Sequence, residues 1–277
     1  MLRYLGTAFA ITVLAFGVTA CSGGSATGSE ANASETETTA VSTDGIKIDS
    51  ESFPDSVFMN YVSEHFDKDA DGVLSNEERT AVERIGDYDG GSDDGLTGLG
   101  IADLKGIEYF SNLQVLMVGE NKLKSLDLRN NPMLIRLYCQ ENELTALDLS
   151  ACINLDYLCC RDNKIETLDL SKNTALTAVA CNDNNLTVLD LSNNKALKDI
   201  SCHNNAIESL NINGLTSLER LICSNNKLAA LDLRTNTALK SLFCEDNQIP
   251  TLDVRNNLSL KGNTLKCDDT VSVIAHQ

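Results

Sequence analysis

Between Leu113 and Ser259 the chain repeats itself seven times with a period of 21 residues. Each unit reads Leu-x-x-Leu-x-Cys-x-x-Asn-x-Leu-x-x-Leu-Asp-Leu-x-x-Asn-x-x. The fourth position is Leu116, Leu137, Leu158, Val179, Ile200, Leu221 and Leu242. The sixth is Val118, Cys139, Cys160, Cys181, Cys202, Cys223 and Cys244. The ninth is Asn121, Asn142, Asn163, Asn184, Asn205, Asn226 and Asn247, without exception. A sequence in such register can only stack like units on one another.

Leu-x-x-Leu-x-Cys ends in two inward residues spaced by two, the period of a strand. Leu158 and Cys160 therefore face one side, and Tyr157 and Cys159 the other. One unit cannot bury its apolar side chains alone, so neighbours stack and their short strands pair in parallel. The expected fold class is a leucine-rich repeat solenoid, a short curved parallel β-sheet with few helices, preceded by a small helical unit. At about 4.8 Å per rung the sheet is roughly 30 Å long. The asparagine column falls where the chain turns away from the sheet. A buried turn leaves backbone N–H and C=O groups unpaired, and an inward amide satisfies both kinds.

The cysteines of the sixth column stand one per rung and point the same way, which suits neither a zinc site nor a disulfide. Zinc needs thiolates converging from close Cys pairs, and parallel Cβ vectors give poor disulfide dihedrals. A ladder of free thiols packed as small apolar groups is expected. Cys152 and Cys159 lie off this ladder, and Cys159, outward on its strand, is the expected exposed thiol. A column of carboxylates, Asp127, Asp148, Asp169, Asp190, Asp232 and Asp253, is broken only by Asn211 and points outward on the convex side. Like charges a rung apart repel. Their compensation is expected from backbone N–H groups, from Arg129, Arg234 and Arg255, or from bound cations.

Upstream the chain changes character. Residues 1–20 carry Arg3 and then an apolar run from Tyr4 to Gly17, the layout of a secretory signal and too short for a confident membrane span. Val18-Thr19-Ala20-Cys21 looks like a bacterial lipobox, with Cys21 as the lipidated residue that anchors the chain to a membrane. Ordinary cleavage with Cys21 incidental is the alternative. Residues 21–50, rich in Ser, Gly, Thr and Glu, read as a flexible tether.

Residues 51–90 form a second unit. After Pro54, the residues Val57, Phe58, Tyr61, Val62 and Phe66 follow a helical period. Asp67-Lys68-Asp69-Ala70-Asp71-Gly72-Val73-Leu74-Ser75-Asn76-Glu77-Glu78 then matches the EF-hand calcium loop. Asp67, Asp69 and Asp71 supply oxygens, Gly72 the turn, Val73 a backbone carbonyl, Ser75 the ninth place and Glu78 the bidentate last ligand, a donor set suited to hard Ca2+. An outgoing helix bearing Ala81, Val82 and Ile85 is expected to complete the hand. The acidic segment from Asp87 to Gly95 lacks the spacing of a second loop and reads as a linker. With one hand only, the calcium is expected to be structural.

The solenoid is expected over residues 91–277, with regular repeats over 113–259. Leu96 to Asn112, with Ile101, Leu104, Ile107 and Phe110, reads as an irregular turn closing its N-terminal end. Leu265-Lys266-Cys267 resumes the strand pattern, but Cys267 comes 23 residues after Cys244, so the segment to Ile274 reads as a cap rather than another full repeat.

The full repeat, carried best by Asp148-Leu149-Ser150, Asp169-Leu170-Ser171 and Asp190-Leu191-Ser192, resembles the cysteine-containing repeats of bacterial internalin-like surface proteins. Leu104 to Leu113 looks like the lead-in to such arrays. Together with the upstream Phe-Pro-Asp helix and calcium loop, the chain is similar to leucine-rich lipoproteins of anaerobic gut bacteria. The resemblance spans about residues 46 to 277 and implies a right-handed curved solenoid, surface display and a binding role. It departs from the larger internalins in showing no C-terminal sorting motif, so lipidation takes the place of wall attachment.

Solenoids bind through their concave face. Here the outward strand positions include Val115, Met117, Arg136, Tyr138, Tyr157, Arg220, Ile222 and Phe243, two apolar or aromatic patches flanking a small, polar middle at Ala178, Ala180 and Ser201. Aromatics with Arg are the usual anchors of a protein interface. The expected function is a monomeric, lipid-anchored scaffold at the bacterial cell membrane or surface, outside the cytoplasm, that recognises a protein. A glycan stacking on Tyr138, Tyr157 and Phe243 is the alternative. Catalysis is not expected: Asp199, Ser201 and His203 share one strand face, but their ~6.5 Å spacing is too wide for triad hydrogen bonds. Nor is nucleic acid, since Asp plus Glu exceed Lys plus Arg by 18.

Overall fold

The computed structural model describes residues 45–86, 95–260 and 264–275. Cys21, the signal, the tether up to residue 44 and nearly all of the acidic linker lie outside the described residues. What is described belongs to one compact unit, Ser42–Gln277.

Each repeat contributes one three-residue strand to a parallel sheet. The strands are β4 (Val115–Met117), β5 (Arg136–Tyr138), β6 (Tyr157–Cys159), β7 (Ala178–Ala180), β9 (Asp199–Ser201), β11 (Arg220–Ile222) and β12 (Ser241–Phe243). Their fourth-position residues align, Leu137 on Leu158 and Val179 on Ile200, so the register follows the 21-residue period. On the opposite side the chain makes only short pairings, such as β8 (Val188–Asp190) with β10 (Ser209–Asn211). Between these two sides the repeat leucines, except the half-buried Leu210, and the cysteines of the sixth column are buried. Among the described residues no helix is long and apolar enough to cross a membrane.

Two asparagine ladders join the rungs. At the front turn, Asn184 donates its amide to the carbonyls of Cys160, Cys181 and Asn182, and its Oδ1 accepts from the Ile165 N–H at 2.9 Å. All seven ninth-position asparagines accept such a bond from the preceding rung. A second ladder, at the nineteenth position, runs along the back: Asn131, Asn173, Asn194, Asn236 and Asn257 each donate to two carbonyls of the rung before. Cys152 occupies one place in this column, its thiol 3.7 Å from the Asn131 carbonyl.

The N-terminal unit is built into the same stack. Helix α1 (Ser56–His65) is capped by Asp55, whose side chain accepts from the N–H groups of Val57 and Phe58. Phe58 and Val62 on its inner face are fully buried, in one continuous apolar cluster with Phe110 and Leu113. After the acidic loop, α2 (Asn76–Ala81) lasts six residues. The expectation of a longer outgoing helix carrying Val82 and Ile85 is therefore corrected. Val82 is extended and Arg84–Ile85 is a strand, β3, which pairs in parallel with β4 through Arg84↔Val115 and Ile85↔Leu116. The helix stops because burying Ile85 as the first strand of the nine-stranded sheet gives it a place in the solenoid core. Asn112 closes the helix end by donating to the Thr80 carbonyl.

The first rung thus starts at Arg84, earlier than the pattern from Leu96 suggested. At the other end β14 (Leu265–Lys266) pairs with β12, and β15 (Ser272–Ile274) pairs with β13 (Thr251–Asp253) on the back. This segment supplies both a front and a back strand, and is a shortened ninth rung rather than a simple cover.

Candidate functional site

Three places hold chemistry: the acidic loop, the concave face and the rim beside it. In the loop, the carboxylates of Asp67, Asp69 and Asp71 bring one oxygen each within 4.8 Å of one another. Gly72 and Ala70 are left-handed, at φ +81° and +57°, which turns the chain sharply enough for this. Asp67 accepts from the N–H groups of Asp71 and Gly72, and Asp71 from that of Val73. Glu78 folds back from the first turn of α2: Oε1 accepts from the Lys68 N–H, and Oε2 from the N–H and hydroxyl of Ser75. Ser75 in turn caps the helix through the Glu78 N–H. Desolvation, and then the charges of Asp71, Glu78 and Asp67, raise the Asp69 pKa. Carboxylates driven together in this way are what a bound dication relieves, and every donor is a hard oxygen.

The concave face differs in part from expectation. Val115 and Tyr138 are buried, each 6% exposed, while Met117, Arg136, Tyr157, Arg220, Ile222 and Phe243 are half-buried. Rungs stacked a strand apart press large side chains together, and the Tyr138 ring leans on Tyr157 with centroids 5.0 Å apart. Cys159 is also corrected: it is 7% exposed, and burial raises its thiol pKa. Desolvation pushes Cys181 up to about 12 and holds the rest of the ladder high, so these thiols are packing groups rather than nucleophiles. Among the described cysteines all are free and only Cys267 is not buried.

In the middle of the face the strand spacing proves a poor guide to reach. Ser201 Oγ lies 3.0 Å from His203 Nδ1, because the imidazole bends back along the strand. The carboxylate on the far side of the ring is Asp183, from the preceding rung, with Oδ2 3.8 Å from Nε2. Asp199 instead forms an ion pair with Arg220 at 2.8 Å. Asp183 is itself held by the side-chain amides of Asn182 and Asn204. Sequence spacing could not have brought Asp183 into this group, since it belongs to another rung. The backbone amides of β9 are taken up on both sides by β7 and β11, so the strand offers Ser201 no pair of oxyanion donors. The cluster is a hydrogen-bonded patch on a rigid floor.

Beside it runs a rim of left-handed residues at the eighth position: Glu120, Glu141, Asp162, Asp183, Asn204, Asn225 and Asp246, with φ between 53° and 57°. The column is visible in the sequence as a run of acids and amides, the types that tolerate this backbone best being Asn and Asp. On the convex side, each aspartate of the outward column accepts the N–H of the residue two on, as Asp148 does from Ser150 and Asp169 from Ser171. Asp127, Asp232 and Asp253 also take a two-pronged grip from Arg129, Arg234 and Arg255, which lowers each carboxyl pKa to about 2. Local backbone and arginine contacts therefore answer the repulsion expected there.

The stacked rungs, the parallel sheet and the asparagine turns define a leucine-rich repeat solenoid. Its similarities to solved structures are to proteins of that kind. The functional domain of InlJ from Listeria monocytogenes, which includes a cysteine ladder, is 33% identical, with a TM-score of 0.71 over 83% of this chain and 48% of that one. A leucine-rich repeat protein of Leptospira interrogans is 27% identical, with a TM-score of 0.50 over 52% of this chain and 40% of that one. An internalin C2 from Listeria monocytogenes, 20% identical with a TM-score of 0.59, shares the fold over 83% of this chain and 98% of its own. This chain spans less than half the length of the first two. No protein-family model and no curated protein matches the chain.

Proposed function

We propose that the protein is a lipid-anchored bacterial surface scaffold whose concave face binds a protein partner, with one structural calcium ion in the N-terminal loop. The observation that carries the binding reading is the row of half-buried large side chains on the sheet, Tyr157, Ile222 and Phe243, with Arg136 and Arg220 among them. Aromatic and arginine side chains on a fixed surface lose little entropy on docking. The likeness to internalins supports the scaffold role and a location outside the cytoplasm. Cys21 would carry the lipid. Asp67, Asp69, Asp71, the Val73 carbonyl, Ser75 and Glu78 would hold the calcium, which supplies charge neutralisation and stiffness rather than chemistry.

Selection of a phage-displayed random peptide library on the wild-type chain, and on Ile222→Glu and Phe243→Glu, tests the concave site. Peptides enriched on the wild type should lose retention on both variants, and undiminished retention would sink the reading. A glycan array bound by the wild type, with no peptide enriched, would favour the sugar-binding alternative on the same aromatic residues.

A further inference from the structure

The acidic loop does not stand alone in the fold. Residues Val73–Leu74 form a two-residue strand, β2, and such a strand exposes unpaired backbone groups along its edge. That edge is taken by β1 (Ile46–Lys47), which runs antiparallel to it with Ile46 opposite Leu74 and Lys47 opposite Val73. The Ile48 N–H adds a bond to the Gly72 carbonyl at 3.0 Å. Gly45 approaches so closely that a Cβ there would lie 2.2 Å from Val73 Cγ1. Leu74, on the same strand, is fully buried in the common core.

The far end of β1 is fixed as firmly. Asp49 Oδ1 accepts from the N–H groups of Glu51 and Ser52, turning the chain back. Phe53 then inserts, fully buried, with its ring 5.6 Å from Phe58. Gly106 of the first rung lies against that ring, where a Cβ would meet Phe53 Cδ1 at 2.3 Å. Lys105 holds the turn through the Glu51 carbonyl at 2.7 Å. The solenoid therefore positions β1, and β1 positions the backbone of Gly72 and Val73, which includes one of the candidate calcium ligands.

We infer that β1 is the built-in partner of the calcium loop, occupying the strand edge that a second loop would otherwise fill, so that one hand binds calcium as a monomer. This rests on the calcium reading above, which it extends from the ligands to the segment that orients them. Ile46, Lys47 and Ile48 are positioning residues here and touch no ion.

The test uses the full mature chain, by calcium titration calorimetry and light scattering, on the wild type and on two variants. Ile48→Pro removes the N–H given to Gly72, and Gly45→Val forces β1 away from Val73. Circular dichroism and melting establish that each variant keeps its solenoid. Wild type should bind one calcium per chain and stay monomeric, whereas both variants should bind about tenfold more weakly or worse, as when groups that orient metal ligands are lost. Calcium-dependent dimers of the variants would add support, since the edge is then open. Wild-type affinity in both folded variants would overturn the inference and leave the calcium site intact. No binding by the wild type itself would overturn both, and that failure shows before any substitution is made.

Discussion

At the scale of the residue, the two asparagine ladders ask different things of the same side chain. The front asparagines donate and accept, whereas the back asparagines only donate, their Oδ1 atoms finding no partner among the described residues. This fits a front column that admits no exception and a back column that admits both Cys152, a weak donor, and Leu215, whose side chain donates nothing. Replacing Asn184 by Ala should therefore cost more than replacing Asn194 by Ala. The back change leaves two buried carbonyls short, worth about 2–4 kcal/mol, and the front change adds an orphaned N–H. Denaturant midpoints of the two variants check the order, and equal losses would refute the division of labour. A different residue effect belongs to His203. Burial lowers its pKa, against the pull of Asp183 and Asp162. The fold thus favours the neutral ring, while the unfolded chain takes the proton near the ordinary value of 6.5. That contribution is complete above this pH and is lost as pH falls below it. His203→Gln should flatten the decline in melting temperature between about pH 7 and pH 5, ahead of the carboxylates, whose titration lies lower. An unchanged slope would show that the ring is not held neutral.

At the scale of the element, strands and front turns were legible because a fixed period writes each of them seven times over. The incoming helix was legible in its apolar period, for Phe58, Tyr61 and Val62 are buried, although Val57 of the same stripe faces out. What the sequence hid were pairings between segments far apart in the chain. Ile85 fits the face of a continuing helix as well as it fits a strand, and only the open edge of β4 decides between them. β1 and β15 are too short to announce themselves and exist because neighbouring edges pair with them. The Ser201–His203 contact was hidden for a related reason. Backbone rise gives the distance between Cα atoms, whereas side chains reach across it.

At the scale of the whole molecule, a single apolar cluster runs from Phe53 to Val254 and includes the inner face of α1. Phe110 stands at the junction, fully buried, with its ring 5.3 Å from that of Phe66. Phe110→Ala should cost about 3–5 kcal/mol and lower the helical unit and the array together in one calorimetric transition. Two separate transitions would mean that the helical unit melts on its own. The ladders bear on the molecule in another way. From Asn142 onward every front amide reaches back to a carbonyl 24 residues earlier and takes an N–H from 19 residues earlier, as Asn142, Asn184 and Asn226 do. Length in this chain is therefore quantised: a whole rung can be duplicated or excised with every bond re-formed, while the gain or loss of a few residues between two ladder positions breaks them. Growth by copying is the mode of variation such a stack leaves open, and the small unpaired changes are confined to the loops at its two ends.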